Sequence, residues 1–305
     1  MTAMKKTQVS MTCVMGAAAA GAAAYMLFES QWVERNERIL TFPTLPEGLE
    51  GLTILHLSDI HAAQPGLNLW TLAKAVAWAK KRRPDLVVLT GDVLGGNVGT
   101  AKCLHLLAEL RPPLGMFAVA GNHEYGLARG LAGRRGLAGS GSWDSAESHV
   151  RYLRDECVLL KVAGGEGAPA AALALCGADY ITRGHGLRQR KLPEGAFPVL
   201  LTHRPPNEGD PLVGRFPLIL AGHTHGGQIR LPTPWGLVAL HRDDLPFLEG
   251  VHKVGGSTVV ISRGVGCTFL PLRLCSRPQA ELLRLASGKE AVRGGKVSSS
   301  PGMLK

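Results

Sequence analysis

Five short polar clusters in this chain contain the residue types that bind divalent metal ions. Each cluster follows directly after an apolar run, and the five read SDIH, TGD, GNHE, LTHRPP and AGHTHGG. The candidate ligands within them are Asp59, His61, Asp92, Asn122, His203, His223 and His225. Carboxylate oxygens suit hard divalent ions, and imidazole nitrogens suit transition metals. The residue types therefore indicate one metal site assembled from several separate segments.

Such a site favours phosphate chemistry. Asp59 and Asp92 are the only carboxylates among the candidate ligands, so two divalent ions would keep an excess of about two positive charges, which attracts phosphate oxygens. Two ions about 3.5–4 Å apart also lower the pKa of a shared water toward about 7 and hold both oxygens of an in-line displacement. Two such ions, which the resemblance described below implies, would thus suit hydrolysis of a phosphate ester or anhydride.

The elements that must position these side chains alternate between strand and helix. Apolar runs predict buried strands at 52–57, 86–90 and 116–120, and helical spacing predicts helices at 67–82 and 100–110. Further elements are a helix near 145–156 and strands near 157–161, 171–176, 199–202, 218–221, 227–231, 258–263 and 279–285. Ligands of open α/β sheets bind beyond the carboxyl ends of the strands. We therefore expect an α/β fold in which the five loops converge.

In their order along the chain, the clusters resemble the calcineurin-like metallophosphoesterase superfamily. The segments LGMFAVAGNHEYG, GHTHGGQIRLP and SRGVGCTFLPLRLCSRPQAELL are further similar to its bacterial YaeI/YkuE-like branch, which carries an N-terminal membrane segment. The resemblance extends over roughly residues 30–285. It implies a four-layer α/β/β/α sandwich, preceded by an N-terminal hydrophobic helix, with a dinuclear metal centre between the strand ends.

The resemblance also distributes the ligands between two metal ions. The first ion would be held by Asp59, His61 and His225 and the second by Asn122, His203 and His223, with Asp92 bridging them. Manganese is the expected metal, and iron and zinc are compatible with the same donors. A metal-activated hydroxide would attack phosphorus without a covalent enzyme intermediate.

Three residues beside the ligands complete the expected site. His123 would contact the substrate phosphate or protonate the leaving group. Glu124 stands where relatives more often have Asp, and it is expected to orient His123 by a hydrogen bond. Arg204 stands where relatives more often have an acidic residue, which favours an anionic substrate or leaves a solvated side chain.

A glycine-rich segment at 126–144 contains three further basic residues, Arg129, Arg134 and Arg135. One interpretation is a substrate-binding lid, and the other is a solvated loop.

The N-terminus contains an apolar run at 11–28 that follows Lys5 and Lys6. A membrane anchor, a cleaved signal and a buried Ala-rich helix remain open, and the preceding lysines favour a cytoplasmic N-terminus. The resulting organisation is an anchor or signal at 1–28, an extended connector at 29–50, the metallophosphoesterase domain at 51–285 and a disordered basic tail at 286–305. Association with a bacterial inner membrane is expected, with its side left open.

The six cysteines are too few for a disulfide scaffold and contain no CxxC pair. All six are predicted to be small core residues. Cys267 and Cys275 flank an apolar stretch, so a pairing between them stays open.

The predicted function is a dinuclear phosphodiesterase or pyrophosphatase that acts on a membrane-associated substrate. Among relatives, a lipid-linked pyrophosphate such as a UDP-diacylglucosamine is one such substrate, which would place the enzyme in lipid metabolism. The alternatives are a nuclease or cyclic-nucleotide phosphodiesterase and, more distantly, a non-catalytic scaffold. The net charge of +10 permits a nucleic-acid partner, but aromatic residues are only 5% of the chain and no basic stripe interleaved with aromatics is present, so this partner is not favoured.

Overall fold

The computed structural model describes residues 2–62, 67–93, 97–126, 149–164, 169–240, 245–288 and 292–293. Its helices are α1 (Thr2–Ser30), α2 (Leu67–Lys80), α3 (Asn97–Ala108) and the single-turn α4 (His185–Arg188). Its strands are β1 (Glu34–Phe42), β2 (Thr53–Leu57), β3 (Leu86–Thr90), β4 (Met116–Val119), β5 (Val150–Tyr152), β6 (Glu156–Val162), β7 (Ala171–Gly177), β8 (Ala196–Leu201), β9 (Leu218–Ala221), β10 (Arg230–Thr233), β11 (Gly236–Ala239), β12 (Gly250–Val254), β13 (Ser257–Ile261), β14 (Gln279–Ser287) and β15 (Val292–Arg293).

Two sheets form the centre of the fold. The first has the strand order β15-β1-β14-β2-β3-β4-β5 and the second has the order β12-β13-β9-β8-β7-β6. Strands β2 to β5 run parallel in the first sheet, and β7, β8, β9 and β13 run parallel in the second. The strands that precede the polar clusters thus lie next to one another in the middle of their sheets.

The two sheets pack face to face over an apolar core. Ile54 and Val88 of the first sheet contribute to the same buried cluster as Val199 and Leu220 of the second. The other face of the first sheet is covered by α2 and α3, while the outer face of the second sheet is covered by α4 and the loop that carries Phe216. The expected mixed α/β fold with two sheets is confirmed, and α4 with this loop forms its fourth layer.

The helix predicted near 145–156 is wrong where the structure describes it. Residues 150–152 form β5, and β6 begins at Glu156. Val150 and Tyr152 are buried while Arg151 between them is exposed. This two-residue alternation is the pattern of a strand.

The segment 29–50, expected to be an extended connector, supplies a strand of the first sheet. Strand β1 pairs with β14 in parallel along its whole length, from Glu34 opposite Gln279 to Phe42 opposite Ser287. Leu40 and Phe42 point into the core between the sheets. The sequence reasoning missed this strand because the alternation is confined to the second half of β1 and is interrupted by charged residues.

The expected disordered tail is ordered at its beginning. Strand β14 continues to Ser287, and β15 pairs with β1 opposite Ile39 and Leu40. The rest of 286–305 lies outside the described residues apart from Gly288.

The prediction that all six cysteines are core residues is wrong for three of them, Cys13, Cys157 and Cys275. Cys157 of β6 and Cys176 of β7 stand opposite each other and form a disulfide. Cys13 is exposed and Cys275 is partly exposed, whereas Cys103 and Cys267 are buried. The disulfide follows from the pairing of β6 with β7, which brings together two residues 19 positions apart.

Helix α1 contains the N-terminal apolar run. Its window Cys13–Ser30 is long and apolar enough to cross a membrane, with a mean hydropathy of 1.3. Only 11% of this window is buried against the protein. Burial inside the domain, one of the three interpretations of the run, therefore applies only to the end of the helix, at Glu29 and Ser30.

Candidate metal centre

The candidate ligands follow five strand ends. Asp59 comes two residues after β2 and Asp92 two residues after β3, and Asn122 follows β4. In the second sheet, His203 and His223 each come two residues after their strands, β8 and β9. Because these strands are parallel within each sheet, their carboxyl ends meet at one edge, where the loops of the two sheets face each other.

Three of the predicted ligands form a first group. The Nε2 atoms of His61 and His225 are 3.0 Å apart, and His225 Nε2 is 3.4 Å from Asp59 Oδ1. The side chains are almost completely buried. These are the residues expected to share the first metal ion.

Three others form a second group. His203 Nε2 is 3.1 Å from Asn122 Oδ1 and 3.1 Å from His223 Nδ1. His203 Nδ1 faces the carbonyl oxygen of Thr90 at 2.7 Å, which fixes the orientation of the ring. The sequence expectation placed these three residues around the second ion.

Asp92 lies between the two groups. Its Oδ2 atom is 3.8 Å from His61 Nε2 and 3.5 Å from His203 Nε2. The same oxygen is 3.9 Å from His123 Nε2, and the ring of His123 packs edge-on against His61 with centroids 4.5 Å apart. All seven predicted ligands and His123 are therefore brought to one place, with the predicted bridging carboxylate in the middle.

The backbone at this site is strained. The φ angles of the ligands Asp59, His61, Asp92, His223 and His225 lie between 49° and 73°, in the left-handed region. Residues other than glycine adopt this region at a cost of about 1–3 kcal/mol each unless the surroundings impose it. The two packed sheets impose it here, and the left-handed turns direct the side chains toward one another.

Two glycines allow the loops to approach this closely. A Cβ atom on Gly222 would collide with the side chains of Ser58 and Asp59, and one on Gly91, whose φ is 89°, would collide with the ring of His203. Gly91 and Gly222 of the motifs are thus explained by their close contact with candidate ligands.

Burial and neighbouring charges shift the pKa values of the titratable groups in this site. Burial lowers the pKa of His61 to about 3, so that its imidazole is neutral and keeps a free lone pair. Burial acts to raise the pKa of Asp92, but the positive charge of His203 and a hydrogen bond from its ring outweigh burial and hold the pKa well below the usual value. Burial raises the pKa of Asp59 to about 6.

The donor set fits divalent metal ions. Groups of nitrogen and oxygen atoms from Asp59, His61 and His225, and from Asp59, Asp92 and His203, lie within 4.8 Å of one another. The carboxylates of Asp59 and Asp92 and the neutral ring of His61 direct lone pairs toward a common region. A cation satisfies that arrangement, and mixed nitrogen and oxygen donors suit first-row transition metals.

Glu124 ties two of the ligand loops together. Its carboxylate accepts hydrogen bonds from the backbone N–H groups of Asp92, Val93 and Gly121, at 2.9, 2.7 and 2.8 Å. These contacts position the loop that carries His123 through its backbone. The expected direct hydrogen bond to the His123 ring is not among them, so the orienting function of Glu124 stays a prediction.

Of the four predicted arginines, the structure describes only Arg204. Arg204 follows His203 and is exposed. Arg129, Arg134 and Arg135 lie outside the described residues.

Sequence reasoning missed three residues that support the ligands. Ser58 donates a hydrogen bond to Asp59 Oδ2, and the Thr268 hydroxyl lies 2.9 Å from His225 Nε2 and 3.1 Å from His61 Nε2. The fully buried Arg273 donates to the carbonyl oxygen of His225 at 3.2 Å. Ser58 adjoins a ligand in the sequence, but Thr268 and Arg273 come from a loop that contains no candidate ligand.

Comparisons with known proteins show which family the chain belongs to. Residues 52–227 match the family model described as calcineurin-like phosphoesterase. The chain is 30% identical over 290 residues to the uncharacterized metallophosphoesterase YkuE of Bacillus subtilis, covering 90% of this chain and 95% of that protein. It is 26% identical over 266 residues to the phosphodiesterase YaeI of Escherichia coli, covering 84% and 90% of the two chains.

A vertebrate relative is also similar. The chain is 30% identical over 245 residues to a Danio rerio protein named transmembrane protein with metallophosphoesterase domain, covering 77% of this chain and 53% of that protein.

The two-sheet fold and its strand-end ligand set define a metal-dependent phosphoesterase. The chain belongs to the calcineurin-like metallophosphoesterase family. The prediction of a phosphoric ester hydrolase is thereby confirmed at the level of the family.

Proposed function

We propose that this protein hydrolyses phosphate diesters or anhydrides with two divalent metal ions, at the surface of a membrane. The observation that carries the proposal is the position of Asp92, whose Oδ2 atom lies within 4 Å of ring nitrogens from both ligand groups and of His123. The relative YaeI, which bears the name phosphodiesterase, favours a diester.

Each group of side chains has a distinct function in this proposal. One ion would be held by Asp59, His61 and His225, and the other by Asn122, His203 and His223. Asp92 would contribute to both sites. Bound there, the ions would neutralise phosphate oxygens and activate water. Manganese is the proposed metal.

His123 would act on the substrate itself. Its side chain is 15% exposed, more than that of Asp92 or His203, and it therefore adjoins the solvent side of the cluster. An imidazole there can donate a proton to the departing oxygen or a hydrogen bond to a phosphate oxygen.

Membrane association would come from α1. The exposed apolar window Cys13–Ser30 favours insertion, and the name of the vertebrate relative agrees with it. The proposed substrate class is therefore a phosphodiester or pyrophosphate carried by a lipid in a bacterial inner membrane.

The catalytic proposal is tested with the full chain in detergent. Removal of metal with EDTA should abolish hydrolysis of bis-p-nitrophenyl phosphate, and Mn²⁺ should restore it. Asp92→Ala should lower kcat/KM by at least about 100-fold, since even residues that only support a metal ligand contribute 10–100-fold. His105→Ala, at an exposed position on α3, is the matched control and should retain full activity. Full activity of Asp92→Ala would refute the two-metal mechanism.

The substrate class needs a separate comparison. Vesicles containing a lipid pyrophosphate, single-stranded DNA and a cyclic nucleotide should be offered at equal phosphate concentration. We expect cleavage of the lipid substrate. Cleavage of DNA alone would instead identify a nuclease, and cleavage of the cyclic nucleotide alone would identify a cyclic-nucleotide phosphodiesterase.

A further inference from the structure

A cluster of exposed apolar side chains projects from the domain next to the metal centre. The hairpin of β10 and β11 and the loop after Thr268 carry it. We call this cluster the apolar ridge, and its members are Leu231, Trp235, Leu237, Val238, Leu240, Phe269 and Leu270. Trp235 at the hairpin tip is 92% exposed and Phe269 is 60% exposed.

The hairpin exposes apolar side chains on both faces. Leu231 pairs with Val238, and the adjacent position pairs Pro232 with Leu237, so that the two pairs point to opposite sides. All four residues are exposed. A two-stranded hairpin with one face packed on a core would leave only its other face exposed, whereas this hairpin presents apolar side chains on both faces.

Other exposed apolar side chains of the domain do not form such a cluster. Among the described residues after α1, the others lie on five different segments and are Trp32, Ile39, Trp70, Leu159 and Ile181. Single exposed apolar residues are ordinary on protein surfaces, whereas a contiguous set marks a contact with a partner or a membrane.

The ridge is joined to the end of α1. The N–H of Arg273 donates to the carbonyl oxygen of Met26 at 3.1 Å, and the N–H of Ser276 donates to Glu29 Oε1 at 3.0 Å. The guanidinium of Arg277 lies 3.7 Å from the ring centroid of Trp32, just after the helix. The loop that carries Phe269 and Leu270 therefore runs into the place where α1 meets the domain.

The ridge is also joined to the metal centre. Thr268, whose hydroxyl contacts His61 and His225, immediately precedes Phe269. The side-chain amide of Gln228 donates to the carbonyl oxygens of Thr268 and Leu270 at 2.9 and 3.3 Å, which links this loop to the start of the hairpin. A surface that covers the ridge thus comes close to the ligands.

From these contacts we propose that the apolar ridge inserts into the same lipid bilayer as α1 and holds the opening of the metal centre at the headgroup level. The inference rests on the proposed membrane association and adds a second contact to it. A bilayer is the occupant because α1 already presents an exposed apolar span beside the ridge, and one lipid phase covers both.

The side chains of the ridge suit the boundary between the lipid bilayer and water. Trp side chains concentrate at the boundary between lipid and water, where an aromatic body and an N–H group are both accommodated. Pro232 and Pro234 carry no backbone N–H, so the hairpin brings fewer unpaired donors into the lipid, where each costs several kcal/mol.

The test uses tryptophan fluorescence of the full chain in phosphatidylcholine and phosphatidylglycerol vesicles, with and without dibrominated acyl chains. Bromine quenches tryptophans that contact the lipid. Trp235→Phe should remove a blue-shifted, quenchable part of the emission. Trp78→Phe, which removes a side chain only 6% exposed in α2, is the matched control and should remove emission that bromine does not quench. Circular dichroism melts should confirm that both variants fold.

Two results would overturn the inference, and they differ in meaning. If the protein floats with the vesicles but Trp235 emission is not quenched, the ridge lies outside the bilayer while the membrane association by α1 stands. A dimer that dissociates in Trp235→Ser would then identify a second copy as the occupant. If the protein does not float with vesicles at all, the membrane part of the proposed function fails together with the ridge.

Discussion

At the scale of single residues, the site depends on how closely its loops approach. The carbonyl oxygen of His203 accepts a hydrogen bond from the Gly222 N–H at 3.0 Å, and Gly222 packs against Ser58 and Asp59. The contacts with Ser58 and Asp59 cross from the second sheet to the first. Glycine at this position is therefore a requirement of sheet packing at the ligands and not of backbone conformation, since its φ is not positive.

Gly222→Ala is expected to damage the site through steric overlap alone. The new methyl group would lie 2.9 Å from Ser58 Cβ and would displace the Asp59 carboxylate. We expect a loss of about 1–3 kcal/mol in the free energy of unfolding, typical of an overpacked core, and weaker Mn²⁺ binding. Chemical denaturation and isothermal titration calorimetry measure both.

The control for this variant is Gly209→Ala. Gly209 has its nearest neighbour at 3.6 Å and no positive φ, so the substitution should leave stability and metal binding unchanged. Equal effects of the two variants would show that the overlap with Asp59 is not the cause.

At the scale of elements, the buried strands place polar groups where they titrate abnormally. His56 lies in β2, is completely buried and contacts the Thr90 hydroxyl of β3 through Nε2 at 2.9 Å. Burial lowers the pKa of His56 from 6.5 to about 3. The folded state thus requires a neutral imidazole in the centre of the first sheet.

This burial predicts acid sensitivity. Because the folded pKa is depressed, the stability that the neutral form provides is complete above pH 6.5 and is lost as the pH falls from 6.5 toward 3. When the pH falls from 7.5 to 5, the free energy of unfolding of the native chain should decrease by about 2 kcal/mol more than that of His56→Leu. Urea denaturation at both pH values measures the difference, and His105→Leu, an exposed histidine, should behave as the native chain does. An equal loss in His56→Leu would contradict the assignment.

The disulfide between Cys157 and Cys176 joins an edge strand to its neighbour. The two cysteines are 19 positions apart, and closing a loop of this length stabilises a protein by about 3 kcal/mol because it restricts the unfolded chain. Cys157→Ser/Cys176→Ser should therefore unfold at lower denaturant concentration than the oxidised chain and should not respond to a reductant. Cys103→Ser is the comparison at a buried free thiol, and it should keep the response to the reductant. An oxidised chain that does not respond would contradict the disulfide.

At the scale of the whole molecule, the end of helix α1 is part of the domain. Helix α1 continues to Ser30, yet Glu29, Ser30 and Val33 are buried against the domain. The backbone N–H of Ser276 has Glu29 as its acceptor. The border between the exposed span and the domain therefore falls within the helix, before residue 29.

Two truncations should separate these parts. A chain starting at residue 25 keeps every buried contact of the helix end and should be stable. A chain starting at residue 34 leaves the Ser276 N–H without its acceptor and uncovers the surface under Val33. Its free energy of unfolding should therefore be lower by about 2–4 kcal/mol. Thermal and urea unfolding compare the two, and equal stabilities would show that the helix end does not support the domain.

Much of this organisation was predictable from the sequence. The apolar runs before Asp59, Asp92 and His203 indicated buried strands, and a ligand residue after each run indicated a shared edge. This prediction succeeds because both signals are local: a strand must be apolar over five or six residues, and a turn that carries a ligand follows directly.

Other features were decided by pairing between distant segments. The strand β1 forms because β14, more than 240 residues away, offers it an edge, and the disulfide forms because β6 and β7 are neighbours. Thr268 reaches His61 and His225 for the same reason, since its loop is brought to the site by the second sheet and by the end of α1.

The sequence by itself thus determined the family and the candidate ligands, because both are properties of single residues and their short motifs. Only the tertiary structure decided how the two candidate ligand groups meet at Asp92, which residues support them and where the apolar ridge lies beside α1. These depend on contacts between segments far apart in the chain, and such contacts exist only once the two sheets have packed.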